Sequence, residues 1–111
     1  MEIHEEKLTN VTILAPHGRF DSQASRDFEN CAARVVASGV RALVIDFCSV
    51  DYIASAGLRV LLYAAKSMKT SGRRIVICGL RQNVMAVLEM CGFKSLFEIY
   101  DSQNAAVAAA G

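Results

Sequence analysis

The spacing of apolar and polar positions changes several times along the chain, and each change marks an element. Glu2 to Leu8 and Val11 to Ala15 read as two short strands joined at the turn-prone pair Thr9-Asn10. The period then becomes helical. Ala24, Phe28, Cys31, Ala32, Val35 and Val36 share one face, Asp21 or Ser22 can cap the start, and Gly39 stops it. Ala42 to Phe47 is a near-continuous apolar run, the pattern of a strand covered on both faces. A second helix puts Leu58, Leu61, Leu62, Ala65 and Met68 on one side and Arg59, Tyr63, Lys66 and Thr70 on another. Ser71-Gly72 closes it, and Ile75 to Cys78 is a further buried strand. Val84, Val87, Leu88 and Cys91 predict a short third helix stopped by Gly92. Leu96 to Tyr100 reads as a last strand, with Asp101 or Ser102 capping a C-terminal helix.

The predicted order is β-β-α-β-α-β-α-β-α. Alternation of strands and helices implies right-handed crossovers and a largely parallel sheet, to which the N-terminal pair can add an antiparallel edge. The expected fold is α/β, with a single mixed sheet of four to five strands and about four helices.

Composition narrows the function classes. With 111 residues, 53% of them hydrophobic, the chain supports one domain spanning residues 1–111 around one core. Twelve Lys and Arg stand against 11 Asp and Glu. That balance excludes a protein that works chiefly by neutralising nucleic-acid phosphates. The one purely basic stretch is Lys66, Lys69, Arg73 and Arg74, at the C-terminal end of the second helix, where cations complement the helix dipole. It has no interleaved aromatics and reads as a solvated face. No apolar run approaches the ~18 residues that span a bilayer, so no membrane role is expected. Cys31, Cys48, Cys78 and Cys91 form no C-x-x-C pair, and His4 and His17 are distant from all four in sequence. Each cysteine lies in an apolar run and is expected to be a buried free thiol in a reducing cytoplasm, with no metal site.

Chemistry is best sought where a strand ends and a helix begins, since open α/β sheets bind ligands at the carboxyl ends of their strands. Asp46 to Leu58 is that segment. Ser55 falls at the expected N-cap, with small neighbours that leave its hydroxyl unshielded. Gly57 in the first helical turn costs about 1 kcal/mol relative to Ala, which calls for a reason: close approach of a backbone or a phosphate, or, more plainly, tight packing beside a serine that is an ordinary N-cap. Asp46 at a strand end is the place of a receiver-type phosphoacceptor, but the acidic pair and lysine that such chemistry requires are missing. The chain has no Ser-His-Asp set, no P-loop and no G-x-G-x-x-G, so neither catalysis nor a cofactor is expected.

The run ALVIDFCSVDYIASAGLRVLL, followed by SGRRIVICGL and VLEMCGFKSLFEIY, resembles the STAS domain of anti-sigma factor antagonists. In that family a buried strand leads to a loop of the form D-S-[ST]-G-L-G that opens a helix. GRFDSQASRDFE resembles the family's G-x-L-D element, and the likeness covers essentially the whole chain. It implies a STAS fold and a small cytoplasmic regulator of bacterial transcription. It further implies that Ser55 is a phosphoacceptor, modified by an anti-sigma factor with a histidine-kinase-like ATPase fold and reset by a serine phosphatase. The unphosphorylated antagonist would bind the anti-sigma factor and free the sigma factor. The implied partner surface comprises Asp21, Ala54, Ser55, Ala56, Gly57, Leu58, Arg59 and Tyr63. The sequence departs from the pattern at Ala54, where Asp is frequent, at Ala56, where a second hydroxyl is frequent, and at Arg59, where Gly is frequent. Ala54 favours an alternative: an interaction, scaffold or ligand-sensing module of the same fold that is not phosphorylated.

Overall fold

The computed structural model describes residues 1–111. The chain runs β1 (Glu2–Lys7), β2 (Val11–Phe20), α1 (Ser22–Ala37), β3 (Ala42–Asp46), β4 (Val50–Ile53), α2 (Ser55–Thr70), β5 (Arg74–Cys78), α3 (Gln82–Met90), a 3-10 turn (Lys94–Leu96), β6 (Glu98–Tyr100) and α4 (Gln103–Ala110). The α/β class, the four helices and the single mixed sheet are as expected. Gly39, Gly72 and Gly92 follow α1, α2 and α3 at φ of 78°, 72° and 73°, the left-handed geometry that ends a helix at little cost for glycine. Leu96, expected in the last strand, belongs instead to the 3-10 turn that precedes β6.

The sheet order is β1-β2-β3-β5-β6, with β1 antiparallel to β2 and the remaining pairs parallel. β2 is twice the expected length. Its first part pairs with β3 through Leu14 and its last part with β4 from Gly18. Pro16 lies between those two pairings, where its missing N–H breaks no ladder with β3 or β4. β4 lies within the Asp46 to Leu58 segment, where the hydrophobic pattern predicts no strand.

All five residues of β3 are buried, as a strand covered on both faces requires. One face carries the larger core, where Phe20, Phe28 and Phe47 meet apolar residues of α1, α2 and α3. The other carries a small cluster in which Ala106 and Ala110 of α4 cover Ile13, Val44 and Val76. Asp46 ties the two layers together: its carboxylate accepts from the Cys48 amide at 3.0 Å and from Gln103 Nε2 at 2.9 Å. Arg74 anchors the far edge, donating to Glu98 and to the Ala109 carbonyl, and Arg73 donates to the Val40 carbonyl. Two of the four cations expected on a solvated face therefore hold the fold. No helix is long and apolar enough to cross a membrane.

The cysteines differ from expectation. Only Cys78 is buried, whereas Cys31 is half-buried and Cys48 and Cys91 are exposed. Cys48 and Cys91 sit in the turns after β3 and α3, where apolar neighbours in sequence do not enclose them. Burial, helped by the nearby Asp46 charge, pushes the Cys78 thiol up to about 12. Alkylation of the native protein is therefore expected to label Cys48 and Cys91 and spare Cys78 until denaturant is added. Peptide mapping reads this directly, and early labelling of Cys78 would contradict its placement.

Candidate functional site

The N-termini of α1 and α2 lie side by side because the strands that feed them are parallel neighbours. Phe20 pairs with Ile53, and the Ala54 amide donates to the Phe20 carbonyl at 2.9 Å. Asp21 and Ala54 thus leave the sheet at one edge, each as the cap residue of its helix. The two caps differ in chemistry. Asp21 Oδ1 accepts from the Ala24 amide at 2.9 Å, and its carbonyl accepts from Ser25 Oγ at 2.6 Å. Ala54 has no acceptor to offer, so no side chain caps α2. A missing cap of this kind forgoes about 0.5–2 kcal/mol and leaves first-turn amides open to solvent or a partner.

Ser55 is the first residue of α2 rather than its cap, which corrects the expected position by one. Ala54 takes the extended cap conformation at φ −93° and ψ 169°, so the Ser55 hydroxyl is not turned back onto the helix amides. Ser55 is exposed. Its hydroxyl makes no hydrogen bond within the chain, and no imidazole or carboxylate stands as its base. Its hydroxyl is therefore accessible from solvent, with no hydrogen bond that would activate it.

Gly57 and Leu58 are buried directly beneath it. A Cβ on Gly57 would lie 2.5 Å from Phe20 Cδ1 and 2.9 Å from Ile53 Cγ1. The close approach that glycine permits is therefore to a core aromatic ring, so the tight-packing reading holds and the approach of a backbone or phosphate does not. These two residues position the site from below.

Between the helices runs an open groove of about 560 Å³. Ser55, Ala56, Arg59, Val60 and Tyr63 line it from α2, and Ser22, Ser25, Arg26 and Glu29 from α1. Of the residues singled out from sequence, Ser55, Ala56, Arg59 and Tyr63 form one wall. Asp21 and Ala54 stand at the head of the two helices. Arg26 and Arg59 are exposed and pair with no acidic side chain, and Tyr63 is 51% exposed. The α1 wall was missed. Positions 22, 26 and 29 do fall on one polar helical face, but nothing in the sequence says that this face looks at α2.

A short mixed sheet, two helix starts side by side and a serine at the lip of a groove define a small α/β binding domain. The chain belongs to the STAS domain family, whose model matches residues 2–106. It is 36% identical over 109 residues to BtrV of Bordetella bronchiseptica, whose name provisionally makes it an anti-sigma factor antagonist. That match covers 98% of this chain and 94% of BtrV. An anti-sigma factor antagonist from Mycobacterium paratuberculosis has the same fold, with a TM-score of 0.90 at 21% identity over 98% of this chain and 92% of that one. The Bacillus cell fate determinant SpoIIAA, solved in its phosphorylated form, aligns with a TM-score of 0.79 at 12% identity over 99% of this chain and 100% of its own.

Proposed function

We propose that this protein is an anti-sigma factor antagonist that switches partners through phosphorylation of Ser55. The observation that carries the reading is the exposed, unbonded Ser55 hydroxyl at the lip of the α1–α2 groove. Its relatedness to BtrV supports the class of protein, and the phosphorylated form of SpoIIAA supports a switch of this chemical kind on this fold. In this reading the unmodified groove binds an anti-sigma factor with an ATPase-type kinase fold, in the cytoplasm, and a serine phosphatase restores it.

The physics of the switch is local. A phosphate adds about −1.5 to −2 charge. At the first residue of α2 it meets the positive end of the helix dipole and open amides, so the fold tolerates it. Arg59, four residues on, shares the helix face and can approach the new charge. A partner fitted to a neutral, small-residue surface would instead have to bury a dianion, and binding fails.

Incubation with the cognate kinase and ATP, followed by phosphate mapping, tests the assignment. One phosphate on Ser55 is the expected result, absent in Ser55→Ala. Phosphate on Ser22 or Ser49 with Ser55 unmodified would overturn it.

The uncapped Ala54 favours a second reading, in which the groove binds constitutively and is never phosphorylated. A family kinase has one less carboxylate to engage here. Partner affinity unchanged in Ser55→Asp would select this reading.

A further inference from the structure

Glu2, His4 and His17 meet on the β1–β2 ribbon, on the sheet face opposite α1 and α2. Strand register puts them there. Glu2 lies across from His17 and His4 across from Ala15, so the three side chains emerge on one face, the face that Ile13 shares with α4. His4 Nε2 is 2.7 Å from a Glu2 carboxylate oxygen. The His4 and His17 rings stack with centroids 4.3 Å apart and planes 30° from parallel. One donor atom from each residue lies within 4.8 Å of the other two.

We propose that Glu2, His4 and His17 form a binding site for a borderline divalent cation of the zinc type. Two imidazole nitrogens and one carboxylate oxygen are a donor set that zinc takes, with a fourth position left for water. Calcium and magnesium prefer oxygen donors throughout and are disfavoured here. Around zinc, with ligand distances of ~2.0–2.1 Å, donor atoms stand about 3.3 Å apart. The widest spacing must therefore close by no more than about 1.5 Å. His4 and Glu2 side chains are 60% and 70% exposed and have the rotamer freedom to do so. As the side chains stand, the Glu2 carboxylate bonds only to His4. A cation held between them engages all three.

The histidines are far apart in sequence and far from any cysteine, which is why spacing alone showed no ligand set. The test is calorimetric titration of zinc chloride into the full chain, without an affinity tag and with Cys48 and Cys91 alkylated. One saturable equivalent is expected, with proton resonances of both imidazoles shifting in step. His4→Ala and His17→Ala should each weaken binding tenfold or more, while Lys7→Ala leaves it unchanged and calcium produces no saturable binding. Because the altered side chains lie outside the core, circular dichroism should show every variant folded. Zinc affinity unchanged from the parent in either histidine variant, or no saturable zinc binding by the parent, would overturn the site.

Discussion

Replacing Gly57 with alanine is expected to destabilise the domain by about 2 kcal/mol, a fall in Tm of roughly 10 °C. Two effects compete. Alanine gains up to about 1 kcal/mol of helix propensity over glycine. Against this, its methyl would lie 2.5 Å from Phe20 Cδ1 and 2.9 Å from Ile53 Cγ1, well inside van der Waals contact. Relief would require the Phe20 ring to move, but that ring is fully buried between Phe28 and Phe47, with centroids 5.1 Å and 5.8 Å away. The alternative is for the start of α2 to lift from the sheet, which breaks the Ala54 to Phe20 hydrogen bond and displaces Ser55. Either route costs more than the propensity gain. Thermal and urea unfolding measure the loss, and Ala56→Gly provides the comparison. There the glycine lies in the same turn but clear of the ring, so it should lose about 1 kcal/mol or less. A Gly57→Ala protein as stable as the parent would mean that the α2 start sits higher on the sheet than described.

The same residue shows what was legible in the sequence and what was not. Glycine in a helical first turn announces a close approach, and that inference was sound. Its object was hidden, because the Phe20 ring arrives from a strand 37 positions earlier in the chain. Helix boundaries were legible because they depend on local chemistry: Asp21 caps α1, Ser102 caps α4, and glycines terminate three helices. Val50–Ile53 was not legible as a strand. It has only four residues, with two exposed in the middle, and it exists because β2 extends past Pro16 to receive it. The length of β2 was obscured by the same proline, which ordinarily ends a strand and here falls between two partners. Ser55 was placed one residue early since serine is a better cap than alanine by propensity; the backbone turns at Ala54 regardless. The cysteines failed for a related reason. Apolar neighbours indicate a buried segment, but in the turns after β3 and α3 Cys48 and Cys91 are exposed, as is Met90 beside Cys91. The groove itself is a tertiary object, and its α1 wall becomes visible only when parallel pairing of β2 and β4 brings two helix starts together.

The largest effect on function is expected from charge at Ser55. Ser55→Glu should weaken binding to the cognate anti-sigma factor by 10- to 100-fold, about 1.4–2.8 kcal/mol. The fold should be indifferent or slightly stabilised, because a carboxylate in the first turn of α2 interacts favourably with the helix dipole by about 0.3–1 kcal/mol. This opposition between stability and binding separates a switch from simple damage. Glutamate carries one charge where phosphate carries nearly two, so the modified protein should bind more weakly still. Ser55→Ala removes a hydroxyl that has no partner within the chain, and it should therefore bind like the parent while no longer responding to kinase and ATP. Arg59 supplies a further check. It lies four residues after Ser55, exposed and without an acidic partner, so it can offset part of the glutamate charge. Comparison of Ser55→Glu with and without Arg59→Ala, by calorimetry against the anti-sigma factor, isolates that coupling as the non-additive part of a double-mutant cycle. Equal affinity for parent and Ser55→Glu, with both proteins folded, would reject the charge switch and leave the groove as a constitutive binding surface.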